Sequence, residues 1–392
     1  MFVALLVVSA TLFLIHGYVA FRIYPLFPPA HGLPLVYWLV VAVISILPVL
    51  PLAFRFNGVE NRTIDFFSWI GYGSLGFFSL TFMILFGWDL ILALLTGIRW
   101  AVGPDSLPGR ILTDSDWSVF LEETARGFIV LTCAALTLWG LGNARKPATV
   151  YTIQVPVENL PADLEGFRIV QISDIHLGPT IKRPYLQRIV DRVQSLQPDL
   201  IAVTGDLVDG SVTYLRPELE PLRELQARYG VYFVTGNHEY YSGVAAWLPV
   251  YRELGLRVLQ NESNTFFVGA AAVSVVGIPD PTAIQMDPRE SPSLSRAMQS
   301  VPPNAFTVLL AHQPGIIDEA ARSNVDLVLS GHTHGGQLVP FSWLVRLAHP
   351  YIKGLHRHHK TWIYVNRGTG YWGPPLRLGV PGEITVLELR NT

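Results

Sequence analysis

The chain has 392 residues, half of them hydrophobic and only 15% charged, against about 25% charged in a typical soluble domain. Part of it is therefore built for an apolar solvent, and the net charge of −2 with no basic excess argues against a nucleic-acid partner. The single cysteine, Cys133, lies in an apolar run, which excludes an intrachain disulfide and a cysteine-based zinc site and leaves the redox compartment undetermined.

Charge is unevenly distributed: 14 of the 58 charged residues precede residue 142. The length suggests two or three structural units, and the composition places a boundary near residue 145. Four stretches are long enough to cross a bilayer, which takes roughly 20 apolar residues. They are Phe2–Phe21, Pro34–Phe54 with Pro48 and Pro51 near its end, a run from Phe66 to Ile98, and Trp117–Leu141 with its apolar core at Gly127–Leu141. The first lacks a basic leader and a small-residue cleavage site, and it reads as a span rather than a signal peptide. The third is too long for one straight span. Asp89 inside it is expected to mark the interfacial end, with Ile91–Ile98 on the surface, and His16 is expected to be interfacial or helix-packing.

Four spans put both ends of the bundle on one side. Loops on that side carry Arg55, Arg62, Arg145 and Lys146; the other side carries Arg22, Arg99 and Arg110. This small bias favours a cytoplasmic carboxy-terminal domain. The sequons at Asn61 and Asn261 are patterns that arise often by chance. The reading is thus a transmembrane helical region over 1–142, a linker over 143–152 and a globular domain over 153–392. The linker reaches at most about 35 Å fully extended, so the globular domain is expected to sit close against the bilayer.

From Tyr151 the pattern changes. "FRIVQISD", "DLIAVTGD", "GVYFVTGNHE", "AVSVVGIPD", "FTVLLAHQP" and "VDLVLSGHTH" are apolar runs ended at once by Asp, Asn or His. Helical spacing lies between several of them, as in "YLQRIVDRVQSL", Val244–Leu254 and Gly315–Ala321, which is an α/β signature. In such folds ligands gather at the carboxyl ends of strands. Those ends carry Asp174, His176, Asp206, Asn237, His238, His312, His332 and His334. One such residue alone would be a turn or a satisfied structural histidine. Five strand ends that all deliver carboxylate, amide or imidazole, and never cysteine, point to divalent metals: Mn, Fe, Zn or Mg. Two of them about 3.5–4 Å apart clamp a phosphoryl group, and the glycines of "TGD", "TGN" and "SGHTHGG" let the backbone come close.

In this order, "DIHLG", "GDLVDG", "GNHE", "AHQP" and "GHTHGGQ" resemble the five motifs of the calcineurin-like metallophosphoesterases. The match runs from about Phe167 to the carboxy terminus, and "VNRGTGYWGPPLRLGVPGEITVLEL" resembles the tail of the bacterial membrane-associated branch, some of whose members cleave UDP-diacylglucosamine. The resemblance implies a two-sheet αββα sandwich, here preceded by an all-α transmembrane bundle of about four helices. It implies two divalent ions, manganese favoured. Asp174, His176 and His334 would hold the first and Asn237, His312 and His332 the second, with Asp206 bridging. His238 would face the substrate and either protonate the leaving oxygen or stabilise its charge. Asp209 would orient His238 or cap the turn before Gly210. A water-derived nucleophile would attack phosphorus in line with the leaving group.

"WLVRLAHPYIKGLHRHHK", at 343–360, mixes apolar and basic residues. Trp343, Arg346, Leu347 and Lys353 are candidates to face the substrate or the membrane, and the histidines at 356–359 read as part of a solvated basic loop. The expected function is a membrane-embedded phosphohydrolase acting on a phosphate ester or pyrophosphate of a lipid-linked substrate. An anchored enzyme with a soluble substrate and a non-catalytic scaffold are the alternatives. The bacterial inner membrane is the expected location, and oligomeric state is open.

Overall fold

The computed structural model describes residues 2–27, 33–103 and 115–392. Arg110, counted above among the loop charges, lies outside them. The chain divides into two compact units, one of Met1–Gly142 with Pro374–Leu376 and one of Asn143–Gly373 with Arg377–Thr392.

The first unit is helical: α1 (Phe2–Ile23), α2 (Leu33–Ile46), α3 (Leu50–Phe56), α4 (Arg62–Val102) and α5 (Ser115–Arg145). Among the described residues three helices are long and apolar enough to cross a membrane, over Leu6–Leu26, Arg62–Ile98 and Glu122–Arg145. The expected second span corrects to two shorter helices. Its helix stops at Ile46, and α3 restarts at Leu50 with a proline in its first turn. Pro48 lacks a backbone donor and disfavours helical geometry at Leu47, so the ladder cannot run through.

α4 is one helix of 41 residues, about 60 Å long, and it does not break at Asp89. That carboxylate is paired: Oδ1 accepts from Arg22 Nη2 at 2.7 Å and Oδ2 accepts from the Tyr18 hydroxyl. Arg22 also reaches Glu122 at 3.1 Å, and Glu122 pairs with Arg126. Each charge in this cluster thus has an opposite charge on a neighbouring helix or turn, as groups in an apolar bundle require. His16 is buried, stacked on Phe78 with ring centroids 4.3 Å apart. At the start of α4, Asn61 accepts from the backbone N–H groups of Thr63 and Ile64 as a helix cap.

The second unit begins almost at once. α5 ends at Arg145 and β1 starts at Thr149, so the connection is shorter than the ten residues read from the sequence. Twelve strands form two mixed six-stranded sheets. The first has the order β1 (Thr149–Val157), β12 (Glu383–Asn391), β2 (Arg168–Ile172), β3 (Leu200–Thr204), β4 (Val231–Val234), β5 (Arg257–Val258). β2 to β5 run parallel, and β12 is antiparallel to β2. The second has the order β10 (Gly354–His358), β11 (Thr361–Val365), β9 (Leu327–Ser330), β8 (Phe306–Leu310), β7 (Ala271–Gly277), β6 (Glu262–Val268). There β7, β8, β9 and β11 are parallel, with antiparallel edges.

Strand side chains alternate between two cores. Leu200 and Ala202 of β3 join Val308 and Leu310 of β8 between the sheets. Ile201 and Val203 face outward onto α6 (Arg183–Ser195) and α8 (Val244–Glu253), through Ile189, Val193, Trp247 and Tyr251. On the other outer face Val328 and Leu309 meet Ile317 and Ala320 of α9 (Ile317–Arg322). Both faces of each sheet are covered, which is why the central strands read as unbroken apolar runs rather than alternating ones. Asn261, the other sequon asparagine, is buried and bonds the 291–293 turn through both ends of its amide.

The segment 343–360 divides. Its first part is α10 (Phe341–Ala348), and residues 354–358 are edge strand β10. Arg357 there pairs with Glu158 and lies over Trp362, and His358 lies 2.8 Å from Asp318. These basic residues belong to a sheet edge, where charge discourages edge-to-edge pairing.

Candidate metal centre

Every residue singled out at a strand end converges on one region of the second unit. β2 leads to Asp174 and His176, β3 to Asp206 and Asp209, β4 to Asn237 and His238, β8 to His312, and β9 to His332 and His334. Both sheets thus contribute. Asp174, His176, Asp206, His332 and His334 all have positive φ, between 49° and 69°. The backbone curls left-handed as each strand stops, a conformation non-glycine residues rarely adopt, and this turns the side chains inward. Gly205 shows why a Cβ is excluded beside them: its φ is +88°, and a Cβ there would lie 2.6 Å from His312 Nδ1. A Cβ at Gly331 would overlap Asp174 Oδ2 and Ser173 Oγ.

The donor atoms form two groups that share Asp206. In the first, His176 Nε2 and His334 Nε2 face each other at 3.0 Å, and Asp174 Oδ1 is 3.5 Å from the latter. In the second, His332 Nδ1 lies 3.1 Å from Asn237 Oδ1 and 3.3 Å from His312 Nε2, which in turn is 3.1 Å from Asp206 Oδ2. The same Asp206 oxygen is 3.8 Å from His176 Nε2. Hydrogens are few here. His312 Nδ1 is 2.7 Å from the Thr204 carbonyl and His176 Nδ1 is 3.2 Å from Asp209 Oδ2. Each ring therefore carries its hydrogen on the outer nitrogen and turns a lone pair to the centre. Lone pairs crowded at these distances fit cations, and the oxygen–imidazole set suits borderline or hard divalent metals.

Before a cation binds, burial would lower His312, but the Asp206 carboxylate outweighs it and raises the ring well above the histidine range. Burial would raise the Asp206 carboxyl, but the charged His312 and His238 in turn outweigh it and hold it down, so a bound ion would replace the His312 proton. Burial and the neighbouring His312 push His332 down to about 3, and burial and His176 push His334 well below the histidine range, so both rings keep their lone pairs. Asp174 is raised by burial.

His238 is arranged differently. Its Nδ1 is bonded to Asp209 Oδ1, and its backbone N–H donates to Asp206 Oδ1 at 2.8 Å. Burial would lower its pKa, but Asp209 and Asp206 outweigh that and hold it at about 9. Asp209 spans two rings, with one oxygen on His238 and the other on His176.

A family profile described as "Calcineurin-like phosphoesterase" matches residues 167–336, the stretch that carries these strand ends. An uncharacterised metallophosphoesterase of Campylobacter jejuni is 31% identical over 316 residues, 80% of this chain and 79% of its own. Another, YkuE of Bacillus subtilis, is 32% identical over 279 residues, covering 68% and 95%.

The chain belongs to the metallophosphoesterase family.

A "Transmembrane protein with metallophosphoesterase domain" from Danio rerio is 40% identical over 270 residues, covering 67% of this chain and 62% of its own length. The chain spans less than two thirds of that relative. Among solved structures, the calcineurin-like phosphoesterase YfkN of Bacillus subtilis aligns over 51% of this chain and 88% of its own, at 15% identity and a TM-score of 0.33.

Around the metallophosphoesterase centre stand residues that sequence reasoning missed. Glu239 is fully buried. Its Oε2 accepts from the N–H groups of Asp206 (2.9 Å) and Gly236 (2.7 Å), and Oε1 from the N–H of Leu207 (2.8 Å). It locks the turn after β3 to the turn after β4, and burial with the Asp206 charge raises it to about 7. Arg377, also buried, donates to the carbonyls of Gly368, Arg367 and Gly370 behind His334. His349 stands against His332, ring centroids 5.5 Å apart. The signal for Glu239 was its place directly after "GNH"; Arg377 and His349 carried none.

Of the candidates to face substrate or membrane, Trp343 is 67% exposed and Leu347 85%, with Leu344 and Phe341 exposed beside them on α10. Arg346 is exposed and Lys353 half-buried.

Proposed function

We propose that this metallophosphoesterase is a membrane-anchored phosphohydrolase with a dinuclear metal centre, acting on a phosphate ester or pyrophosphate carried on a lipid. The observation that carries the reading is the convergence of two groups of lone pairs on a shared Asp206. Asp174, His176 and His334 would hold one ion and Asn237, His312 and His332 the other, with manganese favoured. Two bound divalent ions supply charge neutralisation for the phosphoryl oxygens and lower the pKa of water.

The protein's own residues do the rest. The cationic His238 donates its proton to the departing oxygen. Asp209 fixes the imidazole through Nδ1, so that Nε2 is the nitrogen left to face the substrate. The Asp206 carboxylate anchors the His238 backbone and so sets the spacing between proton donor and metals.

The lipid assignment is supported by the membrane-length helices and by the exposed apolar side chains of α10, which begins four residues after Gln337. Basic groups near an anionic surface contribute about 1 kcal/mol each, the role proposed for Arg346 and Lys353. The test replaces Trp343 and Leu347 by Ser, and Arg346 and Lys353 by Gln. Hydrolysis of lipid pyrophosphates and nucleotide-sugar lipids should fall strongly, with little change on a small chromogenic phosphodiester. Equal losses on both, or none on either, favour a soluble substrate. The catalytic unit is further proposed to face the cytoplasm, in a bacterial inner membrane.

A further inference from the structure

Two large aromatic side chains stand against His238, and the mechanism above uses neither. Tyr241, three residues on in the short helix α7 (Asn237–Tyr241), has its ring centroid 5.3 Å from the imidazole and its plane at 68° to it. Trp372, on the loop between β11 and β12, lies at 5.8 Å and 73°. Both are half in solvent, 51% and 54% exposed. A tryptophan that serves a core hides its ring; one that keeps half of it in solvent beside a reactive group offers a face to something else.

The indole is also held in place. The Gln337 side chain grips the Trp372 backbone on both sides: its Oε1 accepts from the Trp372 N–H at 2.9 Å and its Nε2 donates to the Trp372 carbonyl at 2.9 Å. Gln337 is buried and closes the same glycine-rich loop that presents His332 and His334, its own N–H donating to the His334 carbonyl at 3.0 Å. A buried amide spending both ends on one exposed residue fixes where that residue's ring stands relative to the metal-site loop. The last residue of "GHTHGGQ" thereby sets an aromatic wall beside the proton donor.

We infer that Trp372 and Tyr241 form the leaving-group subsite and take a planar aromatic ring, with a nucleoside the natural case, and that Gln337 is the positioning residue for Trp372. This rests on the reading of His238 as the group that faces the leaving oxygen. A ring joined to that oxygen directly or through a sugar reaches the two faces beside His238. Every base has a π-face, so stacking of this kind selects a ring without selecting a particular base.

The experiment uses the full-length, metal-loaded protein and measures inhibition of chromogenic phosphodiester hydrolysis by AMP, ribose 5-phosphate and inorganic phosphate. AMP should bind roughly tenfold more tightly than ribose 5-phosphate, the scale of one base stacked on an aromatic side chain. Trp372→Leu should bring that ratio to about one and raise KM more than it lowers kcat, while Trp372→Phe keeps most of the preference. Gln337→Ala should reduce the ratio in the same direction. A wild-type ratio near one, or a ratio that survives Trp372→Leu, overturns the inference. Loss of vesicle association in Trp372→Leu with the ratio intact also overturns it and assigns the indole to the bilayer. If no phosphate compound inhibits and no ester is cleaved, the phosphohydrolase reading itself fails, and this inference falls with it.

Discussion

Asp206 is the side chain that links the two donor groups. One oxygen faces His312 and His176 and the other accepts the His238 backbone N–H. Asp206→Asn removes the charge common to both donor groups and turns an amide toward imidazole lone pairs. Elemental analysis should find both ions depleted, and more severely than in His176→Ala; unchanged metal content would remove the bridging role. His238→Asn should behave in the opposite way, with metal content near wild type and turnover down by roughly 10²–10⁴-fold, the scale of a lost general acid. Collapse of metal loading there would make His238 a ligand. These residues were legible in the sequence because each is a polar group placed directly after an apolar run. Arg377 was not, because it spends its guanidinium on the carbonyls of its own loop and no local pattern records that. Glu239 and Gln337 sit inside the quoted motifs, but the bonds they make reach backbone groups 33 and 35 residues away.

The centre is made by where elements stop. Five residues at the strand ends hold left-handed backbone conformations, and the Glu239 carboxylate ties two of those ends together. Glu239→Ala leaves the N–H groups of Asp206, Leu207 and Gly236 without that acceptor. At about 1–3 kcal/mol for each buried donor left unsatisfied, we expect a loss of at least 3 kcal/mol and a clear fall in melting temperature. A melt within a degree of wild type would mean that water replaces the carboxylate. The central strands were readable as apolar runs, whereas β10 was not: "GLHRH" carries no apolar alternation, and pairing with β11 alone makes it a strand. The break between α2 and α3 was present in Pro48 and Pro51, but the apolar run around them masked it.

At the scale of the whole molecule, a membrane-type helical unit and a metallophosphoesterase unit share one chain, and the change in composition near residue 145 announced both. The paired charges of Arg22, Asp89 and Glu122 were hidden in sequence because their partners lie on three different helices. Topology is open to direct assay: with a tag after Thr392, proteolysis on sealed vesicles should remove the tag only from the cytoplasmic side, and cleavage from the other side reverses the orientation. The central claim is that two divalent ions held at the strand ends carry the hydrolysis. The measurement that tests it most directly is a metal titration of the purified full-length protein, with ions per chain and phosphoester turnover followed together through chelation and reloading. The account predicts that turnover is lost on chelation and returns as binding approaches two ions per chain. Full turnover after exhaustive chelation, with less than one ion per chain remaining, would contradict it.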